Sequence, residues 1–308
     1  MALGRRRQRA HARGPVNVLT IAGTDPSGGA GIQVDLQVIR DCGCHGLSVV
    51  AAVVWQNTSG VRGWQAIAPE VLQAQLDAVF DDIPVHAVKI GMLGTPENVQ
   101  VVQRTLAGKS IPIVLDPVLA SGDGSVELGT DLLTELRALG AASTLVTPNI
   151  PEAETLLGGH LASSDLACSL SCRLATAVLL KVGHFPGTSD LVDILATLPN
   201  AAPSAPGEAA YLCPWARHVG EQEIDAKVFC TPLCAVGAGK RDIQNLTPLP
   251  RIPDDVRGTG CQLSTAIACR LALGDDLLPA IEWSRAYLSR MLEHRQSIGR
   301  GRPVIVRV

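Results

Sequence analysis

Two glycine-rich segments, one near each end of the chain, hold the residues best suited to chemistry. The first, Gly23-Thr24-Asp25-Pro26-Ser27-Gly28-Gly29-Ala30-Gly31, directly follows an apolar run at 18–22. The second, Arg257-Gly258-Thr259-Gly260-Cys261, directly precedes a helical pattern at 263–273. Glycines at a strand end or helix start let backbone N–H groups approach an anion without a Cβ in the way. Two such loops suit a protein that holds a phosphate donor and a small acceptor between them, as a small-molecule kinase does. Gly258, Thr259 and Gly260 at a helix start offer consecutive N–H donors and the positive end of the dipole, an anion hole for a γ-phosphoryl group. Cys261 sits in the same field, which favours its thiolate; otherwise it is a small buried residue capping a helix.

The elements that must position these loops alternate along the chain. Apolar runs at 18–22, 47–54, 87–90, 111–115, 144–147 and 177–181 predict strands, and the run at 47–54 reads as buried on both faces. Helical periodicity appears at 30–41, 69–80, 96–106, 130–139, about 261–273 and 276–295. Such alternation predicts an α/β fold, a mostly parallel central sheet with helices on both faces. Ligands then bind at the carboxyl ends of the strands. The first glycine segment, Gly91-Met92, Asp116-Pro117 and Pro148-Asn149 all fall at such ends. Asn149 and Glu152 also read as a helix entry, with Pro151 at an early helical position.

Composition narrows the field. The chain has 308 residues, 46% hydrophobic and 18% charged, enough apolar material for a sizeable core. Aromatics are 3% and the net charge is −3, so neither stacking platforms nor a basic surface supports nucleic-acid binding. No apolar run approaches the roughly 20 residues of a membrane helix. Residues 1–15 carry Arg5, Arg6, Arg7, Arg9 and Arg13 and read as a disordered basic tail, a transit or RNA-contacting arm being the alternative. A strand pattern follows this tail instead of an apolar signal core, so the expected location is the cytoplasm. The nine cysteines, an odd number, fit thiols in a reducing compartment. Cys168/Cys172 and Cys230/Cys234 lack the spacing of a strong zinc signature. Residues 16–308 read as one domain. Within it, 198–253 is atypical: it opens on a low-complexity Ala/Pro stretch and suggests short antiparallel strands and loops.

The segment from Leu19 to Gln33 resembles the opening signature of the hydroxymethylpyrimidine/phosphomethylpyrimidine kinases of thiamine biosynthesis. Gln56-Asn57-Thr58, Lys89-Ile90-Gly91-Met92-Leu93, Leu115-Asp116-Pro117-Val118, Thr147-Pro148-Asn149-Ile150-Pro151-Glu152-Ala153 and Gly258-Thr259-Gly260-Cys261 continue the resemblance in order and spacing. It implies a ribokinase-like three-layer α/β/α sandwich, a homodimer, and use of ATP with Mg²⁺. It places Gly23, Asp35, Gln56 and Met92 around an aminopyrimidine. Without it, Asp35 reads as a solvated helix residue and Gln56 as a loop residue. It makes Lys181 a phosphate contact and Cys261 a proposed base at the acceptor hydroxyl. It assigns Asn149 and Glu152 to Mg²⁺ and phosphate, Glu152 partly through water, with Asp116 polarising the metal's water shell.

Three departures stand out: Val182 replaces a glycine in Lys181-Val182-Gly183-His184, Arg257 replaces a histidine, and the stretch between Lys181 and Gly258 is longer than the family pattern. They are expected to affect the nucleotide side; His184 reads as structural. The implied activity is phosphorylation of 4-amino-5-hydroxymethyl-2-methylpyrimidine, then of its monophosphate. A pyridoxal/pyridoxine kinase and a catalytically weakened pyrimidine-binding protein are the alternatives.

Overall fold

The computed structural model describes residues 14–119, 130–183, 190–191, 193–197, 243–247, 249–250 and 255–307. Its centre is a nine-stranded sheet. Strands β1 (Asn17–Gly23), β2 (His45–Asn57), β4 (Ala87–Ile90), β5 (Ile113–Leu115), β6 (Leu145–Val146) and β7 (Ala177–Leu180) run parallel, in the order β2-β1-β4-β5-β6-β7. Antiparallel strands close both edges: β3 (Gly60–Ala66) pairs with β2, and β9 (Ile194–Ala196) joins β7 to β10 (Ile243–Asn245). Two short strands, β8 (Asp190–Leu191) and β11 (Leu249–Pro250), pair separately.

Period-two alternation divides the strand side chains between two cores. Leu19, Ile21, Val88, Ile90, Leu115, Val146, Val178 and Leu180 point to one face. There they meet α2 (Pro69–Phe80), α3 (Pro96–Leu106), α4 (Leu133–Ala141), α5 (Ile150–Leu157) and α6 (Ser163–Leu174) through residues such as Leu72, Val99, Leu139, Leu156 and Leu170. Val18, Val114, Leu145 and Leu179 point to the other face, against Ile39, Leu263, Ile267 and Ile281. Those residues belong to α1 (Gly31–Asp41), α7 (Thr259–Ala272) and α8 (Leu277–Met291). The result is the expected three-layer α/β/α sandwich.

Two readings of the sequence need correction. The strand at 47–54 is not covered on both faces: β2 is longer, and Val53 and Trp55 remain about half exposed (47% and 48%). The cause is its position beside the edge hairpin with β3, a strand whose Gly60-Val61-Arg62-Gly63 start hides any alternation. A C-terminal hairpin, β12 (Arg295–Gln296) with β13 (Val304–Ile305), was also not foreseen. It lies against the β2–β3 turn and the second glycine segment: Arg302 N–H donates to Thr58 O (2.8 Å), and Pro303 O accepts from Arg257 N–H (2.9 Å). Its Val304 side chain stands over Gly29 of the first segment. The basic tail up to residue 13, Cys230, Cys234, His184 and nearly all of 198–253 lie outside the described residues. Cys172 donates its thiol to Cys168 O on α6 (2.8 Å), a helical back-bond that explains their four-residue spacing. Among the described residues no helix is long and apolar enough to cross a membrane.

Candidate active site

The two glycine-rich segments meet. Gly258 precedes α7 in the left-handed region (φ +74°), and a Cβ there would run into the carbonyl oxygen of Gly29. Only glycine allows that approach. Gly260, one residue into α7, stands over the strand ends: a Cβ there would lie 3.1 Å from Lys181 Nζ and 3.8 Å from Asp116 Oδ2. The N-terminus of α7 therefore lies close to a lysine and a carboxylate at the strand ends.

That lysine and carboxylate come from neighbouring strand ends. Lys181 Nζ donates to Asp116 Oδ1 (2.7 Å), and Thr147 Oγ1 donates to the same oxygen (3.3 Å). Beside them, Asn149 and Glu152 form a capping box at the start of α5. Asn149 Oδ1 accepts from Glu152 N–H, and Glu152 Oε2 accepts from Asn149 N–H, each at 2.8 Å. Asn149 also bridges to Lys181 as a continuation of the β6–β7 ladder. The helix-entry reading is thus realised, and it sets Glu152 next to Asp116 and Lys181.

Burial governs the charges here. It opposes the ammonium of Lys181, but Asp116 and Glu152 outweigh it and raise the lysine's pKa. It also opposes the Asp116 carboxylate, yet Lys181 and Lys89 hold that group below its ordinary value. For Glu152 burial wins: together with Asp116 it pushes the pKa from 4.5 to about 7, against Lys181 and the Asn149 N–H. Cys261 corrects the sequence reading. Dense packing around its thiol, with Asp116 and Asp35 nearby, pushes its pKa up to about 11 despite Lys89 and the Gly31 N–H. The group at the helix N-terminus is a thiol at neutral pH, because desolvation outweighs the dipole.

Across the loops, Gly23 ends β1 beside Met92 and Val54; a Cβ on Gly23 would lie 3.5 Å from Met92 Sδ. Gln56 Nε2 donates to Thr24 O (2.9 Å), which brings the carboxamide to the same end of the sheet. Gly23, Met92 and Gln56 thus lie together at one end of the sheet. Asp35 does not join them. It is fully buried under this floor, and both carboxylate oxygens are taken. Oδ2 accepts from Thr20 Oγ1 (2.6 Å) and Lys89 Nζ (2.8 Å), and Oδ1 accepts from Thr265 Oγ1 (2.7 Å). As placed, Asp35 fixes Lys89 and α7. It is not a solvated helix residue.

Lys89, Thr20 and Thr265 had not been singled out as functional. A signal existed for Lys89: it is the one ionisable residue in the short apolar strand Ala87–Ile90. The Arg257 guanidinium reaches Asp25 Oδ2 (Nε, 3.3 Å) and Gln56 Oε1 (Nη2), so this departure lies against the first glycine segment and Gln56.

The donor set fits Mg²⁺ and a nucleotide phosphate. Glu152 has only Oε2 bonded to the protein, Asp116 adds a second carboxylate, and Mg²⁺ binds through one or two carboxylates plus waters.

Comparisons with known proteins agree with this geometry. The sequence profile "Phosphomethylpyrimidine kinase" matches residues 25–202 and 239–305. The thiamine biosynthesis bifunctional protein ThiED of Geobacter sulfurreducens is 35% identical over 292 residues, covering 92% of this chain and 51% of that protein. The chain spans about half or less of the length of the first curated relatives it matches. The crystal structure of phosphomethylpyrimidine kinase from Clostridium difficile 630 superposes with a TM-score of 0.64 at 30% identity, covering 90% of this chain and 99% of that one. An ADP complex of Bacillus subtilis pyridoxal kinase, 23% identical, shares the fold with a TM-score of 0.72 over 94% of this chain and 96% of its own. By the profile match and the sequence relatives, the chain belongs to the phosphomethylpyrimidine kinase family.

Proposed function

We propose that this chain transfers the γ-phosphoryl group of ATP to the hydroxymethyl group of 4-amino-5-hydroxymethyl-2-methylpyrimidine. It then phosphorylates the resulting monophosphate to the diphosphate, in thiamine biosynthesis. One observation carries the reading: the N-terminus of α7 packs against Gly29 and lies over Lys181 and Asp116. A donor phosphate and a small acceptor placed there share a single anion hole.

In this reading Gly258, Thr259 and Gly260 direct backbone N–H groups at the transferred group, and Lys181 adds a fixed positive charge. Asn149 holds Glu152 through the capping box, and Glu152 and Asp116 receive Mg²⁺, partly through water. A Mg²⁺ ion held by these carboxylates would supply charge neutralisation at the phosphates. Cys261 positions the acceptor hydroxyl and takes its proton late, as a thiol with a pKa of about 11 is a weak initial base. A loose phosphoryl-transfer transition state asks little of a base and much of positioning. Gly23, Met92 and Gln56 hold the ring, Met92 as an adaptable apolar wall. Lys89 and Asp35 brace the floor. A cytoplasmic homodimer completes the proposal.

Pyridoxal phosphorylation is the second reading, favoured by the fold shared with the pyridoxal kinase. A coupled ADP-release assay with the hydroxymethylpyrimidine, its monophosphate and pyridoxal separates the two. Turnover of both pyrimidines with little of pyridoxal is expected. Turnover of pyridoxal alone would overturn the assignment, and pyrimidine binding without turnover would make the chain a binding protein.

A further inference from the structure

Arg257 ties the chain's two ends together at the acceptor side. Its backbone N–H donates to Pro303 O (2.9 Å), its Nε to Asp25 Oδ2 (3.3 Å), and its Nη2 to Gln56 Oε1. Asp25 is fully buried and Arg257 nearly so. The other end of the Gln56 carboxamide is also held, since Nε2 donates to Thr24 O (2.9 Å).

A carboxamide turned end for end keeps its shape and exchanges donors for acceptors. Here the exchange is blocked at both ends. A guanidinium has only donors to offer an NH₂ group, and Thr24 O has only lone pairs to offer a carbonyl. The orientation is therefore fixed, with one N–H and one lone pair of Gln56 left over. A 4-aminopyrimidine edge presents the complement of that pair: a ring nitrogen that accepts, beside an exocyclic amine that donates. Pyridoxal has no amine beside its ring nitrogen, so one half of the pair would go unmatched.

We propose that Arg257 is a positioning residue that locks Gln56 in the orientation complementary to an aminopyrimidine edge, and thereby sets acceptor specificity; this rests on the proposed function's placement of Gln56 at the acceptor ring. The lock needs the planar fork of an arginine, which reaches two acceptors at once. A lysine supplies a point charge that can follow Asp25 and leave Gln56 unheld.

The test is Arg257→Lys, studied by calorimetric binding of the hydroxymethylpyrimidine and of pyridoxal, and by steady-state kinetics. Wild type is measured first: no pyrimidine turnover there would overturn the functional reading itself. Given turnover, the variant should bind the pyrimidine about tenfold more weakly, the scale of one lost hydrogen bond to a charged group. KM should rise in parallel, kcat should stay within about threefold, and pyrimidine-over-pyridoxal preference should fall about tenfold. A folded variant with unchanged affinity and preference would make Arg257 a structural brace only and overturn the proposal. A loss confined to kcat would overturn it equally. Should Arg257→Lys fail to fold, Arg257→Gln replaces it. A carboxamide at 257 can donate or accept and so can pair with Gln56 turned either way. A comparable fall in pyrimidine-over-pyridoxal preference would support the lock, and an unchanged preference would refute it.

Discussion

Two effects compete at the Cys261 thiol. Lys89 and the Gly31 N–H favour the thiolate, while burial with Asp116 and Asp35 nearby favours the thiol, and the pKa of about 11 has the second group winning. Peptide mapping after iodoacetamide treatment should therefore find Cys261 largely unmodified at neutral pH, with modification rising steeply only in alkaline buffer. Rapid labelling at neutral pH would contradict this. The sequence shows the helix N-terminus but not the desolvation, because neighbours distant in sequence remove the water. Glu152 shows the same blindness. Its pKa rises from 4.5 in an exposed carboxyl to about 7 in the fold, so the folded state holds the proton more tightly between those values. Its contribution to stability is full below about pH 4.5 and is lost as pH rises through about 7. The difference in urea midpoint between wild type and Glu152→Gln should change across that window and flatten on either side. In the proposed mechanism the working form is the carboxylate, so kcat/KM should rise through neutral pH with an apparent pKa near that of Glu152, and Glu152→Gln should lose most activity at every pH.

At the scale of elements, the six parallel strands and their loops were legible because apolar runs of the right length punctuated by glycine and proline leave few alternatives. The links between elements were not. Lys89 on β4, Asp35 on α1, Thr20 on β1 and Thr265 on α7 form one buried cluster, and no local pattern joins positions so far apart. Asp35 did carry a hint: it lies three residues from Ile32 and four from Ile39, on the helix stripe that faces the sheet. The Lys89–Asp35 pair has no exposed side-chain surface. Lys89→Met leaves a buried carboxylate without its counter-charge and should cost about 3–5 kcal/mol in urea unfolding. The double replacement Lys89→Met with Asp35→Asn should cost clearly less than the single one, and equal costs would contradict a mutual role. Gly258→Ala strains a left-handed position and drives a methyl group into Gly29 O. It should lower kcat/KM by at least tenfold and destabilise by about 1–2 kcal/mol or more. A fully active Gly258→Ala would disprove the close approach of the two segments.

For the whole molecule, the chain folds back so that its C-terminal hairpin, its first glycine segment and the start of α7 meet at the carboxyl edge of the parallel strands. The α/β/α class was readable from alternation alone, and the site's place followed from the rule that ligands gather at strand ends. The closing hairpin was not readable, since Gly299-Arg300-Gly301-Arg302-Pro303 has neither strand nor helix period. Its worth lies in long-range contacts, Arg302 to Thr58 and Pro303 to Arg257. The central claim is that this convergence phosphorylates an aminopyrimidine twice at one anion hole. The most direct measurement is phosphorus NMR of a single reaction containing Mg-ATP and the hydroxymethylpyrimidine, run with wild type and with Lys181→Met. Successive appearance of the monophosphate and diphosphate, both slowed by about two orders of magnitude or more in the variant, is the expected result. A wild-type reaction that makes neither product, or a Lys181→Met variant that makes both at the wild-type rate, would contradict it.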